Sequence, residues 1–275
     1  MLFGGKAAPG NTAWLLAAAL ALGPVSAAFA AEPCTGFSLG DGRVTAIEDS
    51  RTLALEDGRR IRLAGIEWAV PPDEVRALLA DLVGRPLKFV APESPEPDRY
   101  GRLHAFPIHA FPSHAFPSVS GSETPIQYAW LERGIALVSG RVLDKSCAGA
   151  LLAAEKRARE ARLGAFAEGG SAAHRADIFG AIAAETGRFA VVEGKVLSVR
   201  EAGNTIYVNF GRRWSEDFTV TIAKRLEPAF ISGGVAPKSL SGQVVRVRGF
   251  IEERSGPWID ATSPAQFELA GRRTD

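Results

Sequence analysis

Arg43-Val-Thr-Ala-Ile-Glu-Asp49-Ser50-Arg51-Thr-Leu-Ala-Leu55-Glu-Asp57-Gly58-Arg-Arg-Ile-Arg62-Leu-Ala-Gly-Ile-Glu67-Trp-Ala-Val70-Pro71 decides the architecture of this chain. Val44, Ala46 and Ile47, then Leu53 and Leu55, then Ile61, Leu63 and Ile66 form short apolar runs of strand character. Asp57-Gly58 between two of them is a tight-turn dipeptide, and Asp49-Ser50 marks an earlier turn by related side-chain chemistry. Two turns this close together predict a small, strongly curled antiparallel sheet, which is how a barrel begins.

Outward from this stretch, Pro71-Pro72-Asp73 opens a helix whose apolar positions are Val75, Leu78, Leu79 and Leu82, with Gly84 as its stop. Leu87 to Val90 reads as a strand, and Pro92 to Pro97 as a proline-rich acidic loop. Asp98-Arg99-Tyr100-Gly101-Arg102 leads into another strand. His104-Ala-Phe-Pro107, His109-Ala-Phe-Pro112 and His114-Ala-Phe-Pro117 repeat one tetrapeptide at a period of five. Odd spacing places successive histidines on opposite faces of an extended chain, and the prolines remove ladder donors. The repeat is therefore expected to lengthen a surface loop rather than to bind metal. Helices are predicted over Pro125 to Arg133, closed by Gly134, and from about Ala148 to Leu163, with a Glu155/Arg159 pair on one face.

Gly169-Gly170-Ser171 reads as a hinge dividing residues 31–170 from 171–275. Beyond it, Phe189 to Val199, Thr205 to Phe210, Phe218 to Ile222, Val244 to Ile251 and Trp258 to Ala261 are expected strands. Five short strands with a longer, partly helical connection between the third and fourth fit an OB-like barrel. Tyr207, Trp214 and Trp258 are its candidate stacking residues for nucleic acid, the alternative being packing in the core or at its rim. The whole chain is expected to be α+β and rich in barrel strands.

Residues 1–30 carry Lys6, an apolar run from Ala13 to Leu22 and small residues at Ala28 and Ala30, the pattern of a cleaved secretory signal. The apolar run breaks at Gly23-Pro24, too early to span a bilayer. The mature protein is thus expected in the periplasm or secreted, without a membrane span. In an oxidising compartment the two cysteines, Cys34 and Cys147, are expected to form a disulfide. Pro33 stands where a lipoprotein signal wants a small residue. Without residues 1–30 the chain has 31 basic and 31 acidic side chains, 17 against 19 in 31–170 and 14 against 12 in 171–275. Neither half is the basic body that holds nucleic acid by counterion release alone, so phosphate binding requires a local cluster.

Residues 43 to 166 resemble the thermonuclease (staphylococcal-nuclease-like) family. Asp98-Arg99-Tyr100-Gly101-Arg102, Gln127-Tyr-Ala-Trp-Leu-Glu-Arg-Gly134 and Glu155 to Phe166, ending Arg162-Leu-Gly-Ala-Phe166, carry the resemblance together with the order of elements. It implies an OB barrel with three helices, a calcium ion held by aspartates of the first turn, two arginines on the scissile phosphate and a glutamate base. Arg62 and Arg102 fall on the two arginines, Asp49 on the first aspartate, and Thr52 on the threonine. Ser50 replaces the turn glycine, and Glu67 falls on the aspartate of the family's Asp-x-Pro-Glu segment. Two positions depart: Arg51 stands where the second aspartate belongs, and Val70 where the glutamate belongs. One opposing unit charge at ~4 Å costs about 4 kcal/mol at an effective dielectric near 20.

The expected catalytic residues are thus Arg62, Arg102 and Glu67; the phosphate ligands Arg62, Arg102 and Arg51; and the calcium ligands, weakened by Arg51, Asp49 and Glu67. Asp73 or Glu74 from the helix start is the substitute for the missing base. Three functions follow: a nucleic-acid-directed protein that hydrolyses DNA or RNA poorly, an active metal-dependent endonuclease with rearranged carboxylates, or an envelope module binding protein or oligosaccharide.

Overall fold

The protein is described by a computed structural model covering residues 1, 4, 34, 36–109, 124–142, 144–167, 173–213 and 217–270. The expected signal segment, Trp214 and the second and third histidine copies beyond residue 109 lie outside the described residues.

The deciding stretch folds as the sequence indicates. β1 (Phe37–Asp49), β2 (Thr52–Leu55), β3 (Arg60–Leu63) and β4 (Ile66–Trp68) follow one another through tight turns. At the first turn Asp49 Oδ1 accepts the Arg51 N–H at 2.7 Å and Oδ2 accepts the Thr52 hydroxyl at 2.8 Å. At the second, Gly58 sits at φ +84°, a left-handed conformation that glycine adopts without cost. Period-two alternation puts Leu53, Leu55, Ile61 and Leu63 in the core and leaves Arg60 and Arg62 on the outer face.

α1 (Pro72–Ala80) starts with proline inside its first turn and buries Val75 and Leu79. β5 (Pro86–Ala91) returns antiparallel to β1, and β6 (Arg102–His109) pairs antiparallel with β5 and parallel with β3. Hydrogen-bonded neighbours therefore run β1, β2, β3, β6, β5 and back to β1, a sheet closed on itself. β6 corrects one expectation. His104-Ala-Phe-Pro107 is a strand rather than a loop, with Ala105 and Phe106 fully buried. Its prolyl nitrogen does not break the ladder: Pro107 stands opposite Phe89 on β5.

β7 (Thr124–Pro125) adds to this sheet beside β6, β8 (Ala136–Val138) pairs with β4, and α2 (Ile126–Glu132) and α3 (Lys145–Glu160) complete this part of the chain. α3 begins three residues before the predicted Ala148, because Asp144 caps it by accepting the Cys147 N–H at 2.7 Å. Cys147 is bridged to Cys34, with Cα atoms 4.2 Å apart. Gly134 (φ +66°) and Gly164 (φ +52°) close α2 and α3 against each other: a Cβ on Gly134 would lie 2.3 Å from the Leu163 carbonyl oxygen.

The remainder contains β9 (Ala173–Arg175), α4 (Phe179–Ala183), β10 (Phe189–Lys195), β11 (Ser198–Ala202), β12 (Thr205–Asn209) and β13 (Thr219–Ala223). α5 (Glu227–Ser232), β14 (Val244–Phe250), β15 (Glu252–Glu253), β16 (Pro257–Ala261) and β17 (Phe267–Leu269) complete it. The single strand expected over Phe189 to Val199 is two. Val196 donates to Gln243 on one side and Leu197 to Asn209 on the other, each at 2.8 Å, so the chain changes partner between adjacent residues. Sheets run β17-β14-β10-β9 and β11-β12-β13-β16-β15, with β13 parallel to β16 and α5 between β13 and β14.

Residues 32–275 form one compact unit with two main apolar cores, one around Trp130, Phe89 and Phe106 and one around Phe218, Phe230 and Val247. Between them runs a buried ionic cluster. Arg248 of β14 reaches Glu155 of α3 at 2.8 and 3.1 Å, the Val138 carbonyl at 3.1 Å, and Glu268 of β17. Arg248 and Glu155 are both fully buried. The architecture is α+β and strand-rich, and among the described residues no helix is long and apolar enough to cross a membrane.

Candidate phosphate-binding site

A cleft of about 220 Å³ opens on the outer face of β3; its lining is mixed in charge, with Arg51, Arg62 and Arg141 beside Glu67, Glu93, Glu96 and Asp98, and it includes His104. Cross-strand register puts Arg62 between Thr52 of β2 and His104 of β6. Its side chain is 19% exposed, and its ion partner is Asp49 Oδ2 at 3.9 Å. Burial, with the charges of Arg51 and Arg102 added, lowers its pKa against the opposing pull of Asp49 and Glu67.

Each neighbouring arginine is committed. Arg51 Nη1 donates to Glu67 Oε1, and Glu67 is itself buried. Arg102 donates through Nε and Nη2 to Asp98 Oδ2 at 3.0 and 2.7 Å. Asp98 Oδ1 accepts the backbone N–H groups of Tyr100 and Arg102, which is what the Asp-Arg-Tyr-Gly-Arg turn contributes locally. The Tyr100 ring lies between Arg99 and Arg102, 4.7 and 4.9 Å from their guanidinium carbons. Hydrogen bonding from Arg102 holds the Asp98 carboxyl well below the usual carboxylate range. For Asp49 burial acts upward, but bonds from the Arg51 N–H and Thr52 and the charges of Arg62 and Arg102 outweigh it, and its pKa is lowered.

The structure thus gathers Asp49, Arg51, Arg62, Glu67 and Arg102 into one electrostatic cluster. Asp49 faces a second hollow of about 300 Å³ shared with Pro72 and Arg76 of α1. The two substitute bases are elsewhere: Asp73 and Glu74 are exposed in the first turn of α1 and line neither hollow. Val70 packs against the first core.

The calcium ion that the resemblance implies does not fit this donor set. Both Asp49 oxygens accept hydrogen bonds, Glu67 is paired with Arg51, and a cation of hard, oxygen-seeking character would lie beside a fixed guanidinium. Among the described residues no three His, Cys, Asp or Glu side chains are grouped to hold a metal.

Sequence reasoning quoted Asp98 without a role and missed His104 and Arg141 as cleft residues. The offset of four between Asp98 and Arg102, across a glycine turn, was the available signal. Arg141 had none, since it reaches the cleft from the segment after β8.

On the other sheet, Tyr207 and Trp258 line a groove of about 640 Å³ with Ser198, Arg200, Asn209 and Thr219. Their rings meet edge to face at 5.9 Å. The Trp258 N–H donates to Thr221 at 2.9 Å and Asp260 at 3.0 Å, and Arg254 lies 5.3 Å over its ring. One indole face is therefore already occupied.

No protein-family model matches this chain, and no curated protein matches it.

Proposed function

We propose that this is an exported, nucleic-acid-directed protein that holds phosphodiesters through the arginine cluster on β3 and hydrolyses them poorly. Arg62 is the observation that carries the reading. It is a largely buried side chain lining an open cleft, its pKa lowered by burial and then by two nearby arginines, and among the described residues its ion pair is a 3.9 Å contact with Asp49. A planar fork with spare donors among like charges is matched by a phosphate oxyanion. Poor hydrolysis follows from Val70, which moves no proton, and from Asp73 and Glu74, neither of which lines the cleft.

The fold reading that accompanies this is two OB-like barrels. Its support is a shared connection scheme: β3 parallel to β6 around α1, and β13 parallel to β16 around α5. Export is supported by the bridged cysteine pair. A second reading, an oligosaccharide or protein ligand, is favoured by the row of Ser198, Asn209 and Thr219 beneath Trp258, where Asn209 bonds Ser198 at 3.3 Å.

Fluorescence anisotropy with labelled single- and double-stranded oligonucleotides tests the proposal. Wild type is expected to bind more weakly as salt rises, and Arg62→Ala to bind at least about tenfold more weakly, ~1.4 kcal/mol at 25 °C. Unchanged binding by Arg62→Ala, or none by wild type, would reject it.

A further inference from the structure

We infer that the positive charge of this site is built in: the Arg51 guanidinium takes the place of a divalent cation, and the cleft binds a phosphate-type oxyanion without metal. This rests on the phosphodiester reading above and narrows it.

Arg51 is held from three directions. Its N–H donates to Asp49 Oδ1 at 2.7 Å, its carbonyl accepts the Leu63 N–H at 2.8 Å, and its guanidinium is bound to Glu67. Glu67 is only 7% exposed, so the pair is fixed on a buried carboxylate rather than swinging in solvent. Arg51 and Arg62 both line the cleft, together with Glu93, Glu96 and Asp98, so an oxyanion there meets two guanidinium groups and has to seat on them clear of the carboxylates. The carboxylates that would have to bind a metal already balance these cations: Glu67 with Arg51, Asp49 with Arg62, Asp98 with Arg102. Adding a divalent ion would place two more positive charges among three arginines. An oxyanion instead brings negative charge to Arg62, whose pKa is lowered first by burial and then by the charges of Arg51 and Arg102. A guanidinium does not deprotonate in water, so this charge is constant across physiological pH and indifferent to chelators.

Calorimetric titration of the full chain with inorganic phosphate, once in EDTA and once in calcium, is the test. The same affinity within about twofold is expected in both buffers. Arg51→Gln alone strands the Glu67 charge and can fail to fold, so the decisive variant is Arg51→Gln with Glu67→Gln. It conserves net charge and leaves no unpaired ion. Losing charged hydrogen bonds to the oxyanion should weaken phosphate binding about tenfold or more. Arg51→Asp is expected to bind phosphate only when calcium is added. Three results overturn the inference: tighter wild-type binding in calcium, undiminished binding by the double variant, or no phosphate binding in either buffer. Should phosphate bind as described while oligonucleotides do not, the nucleic-acid reading falls and the metal-free anion site stands.

Discussion

Asp98 does more than its position in a surface turn suggests. Its two oxygens accept from the backbone of Tyr100 and Arg102 and from the Arg102 side chain, so one carboxylate shapes the turn and aims an arginine. Because its folded pKa is depressed, the stability it contributes is fully present above the unfolded value of about 3.9 and is lost as pH falls toward the folded value. Comparing wild type with Asp98→Asn by thermal melts from neutral to acid pH reads this directly. Wild type is expected to melt higher at pH 7, with the gap closing below about pH 4. A gap that stays constant to the lowest pH would mean that Asp98 acts through shape and not through charge.

β6 shows how local pattern and packing can disagree. A proline every fifth residue argues for a loop, yet Phe106 is fully buried and stands opposite Val90 of β5. Phe106→Ala is expected to cost about 3–5 kcal/mol in denaturant unfolding, the range for a large aromatic removed from a packed core. A cost under 1 kcal/mol would return this copy to the surface. The first three strands were legible because Asp49-Ser50 and Asp57-Gly58 encode turns in four residues of local chemistry. The change of partner at Val196 and Leu197 was not, since both residues are apolar while one is buried and the other 45% exposed. Of the site, the outward position of Arg62 follows from alternation along β3, whereas the pairing of Arg51 with Glu67 needs the fold to bring the first turn against β4. The burial of Glu155 could not be anticipated, because its partner Arg248 lies 93 positions away.

That pair sets the behaviour of the molecule as a whole. Glu155 read as one half of an i,i+4 pair with Arg159, and it does touch Arg159 at 3.3 Å, but its main partner comes from the other core. Burial disfavours the charge of Glu268 too, and Arg248, Arg246 and Arg159 reverse that, lowering its pKa. Removing one member leaves a charge with nowhere to go. Arg248→Met is expected to destabilise by about 3–5 kcal/mol, whereas Arg248→Met with Glu155→Leu should recover most of the loss. Denaturant unfolding of the single and double variants measures it, and equal losses in both would assign the cost to packing. The same pair ties residues 171–275 to α3: excising them would take Arg248 from Glu155 and open that carboxylate to solvent.

The bridge from Cys34 to Cys147 also determines how this protein carries tension. A pull on its two ends enters at the start of β1 and crosses directly to the first turn of α3, bypassing everything between. The segment between them, a sequence separation of 113 and about 380 Å of contour at ~3.4 Å per residue, cannot be paid out while the bond is intact. The closed sheet carrying Arg62 is mechanically shielded, and the strands after α3 yield first. Reduction of one bond would transfer that load onto the phosphate cleft.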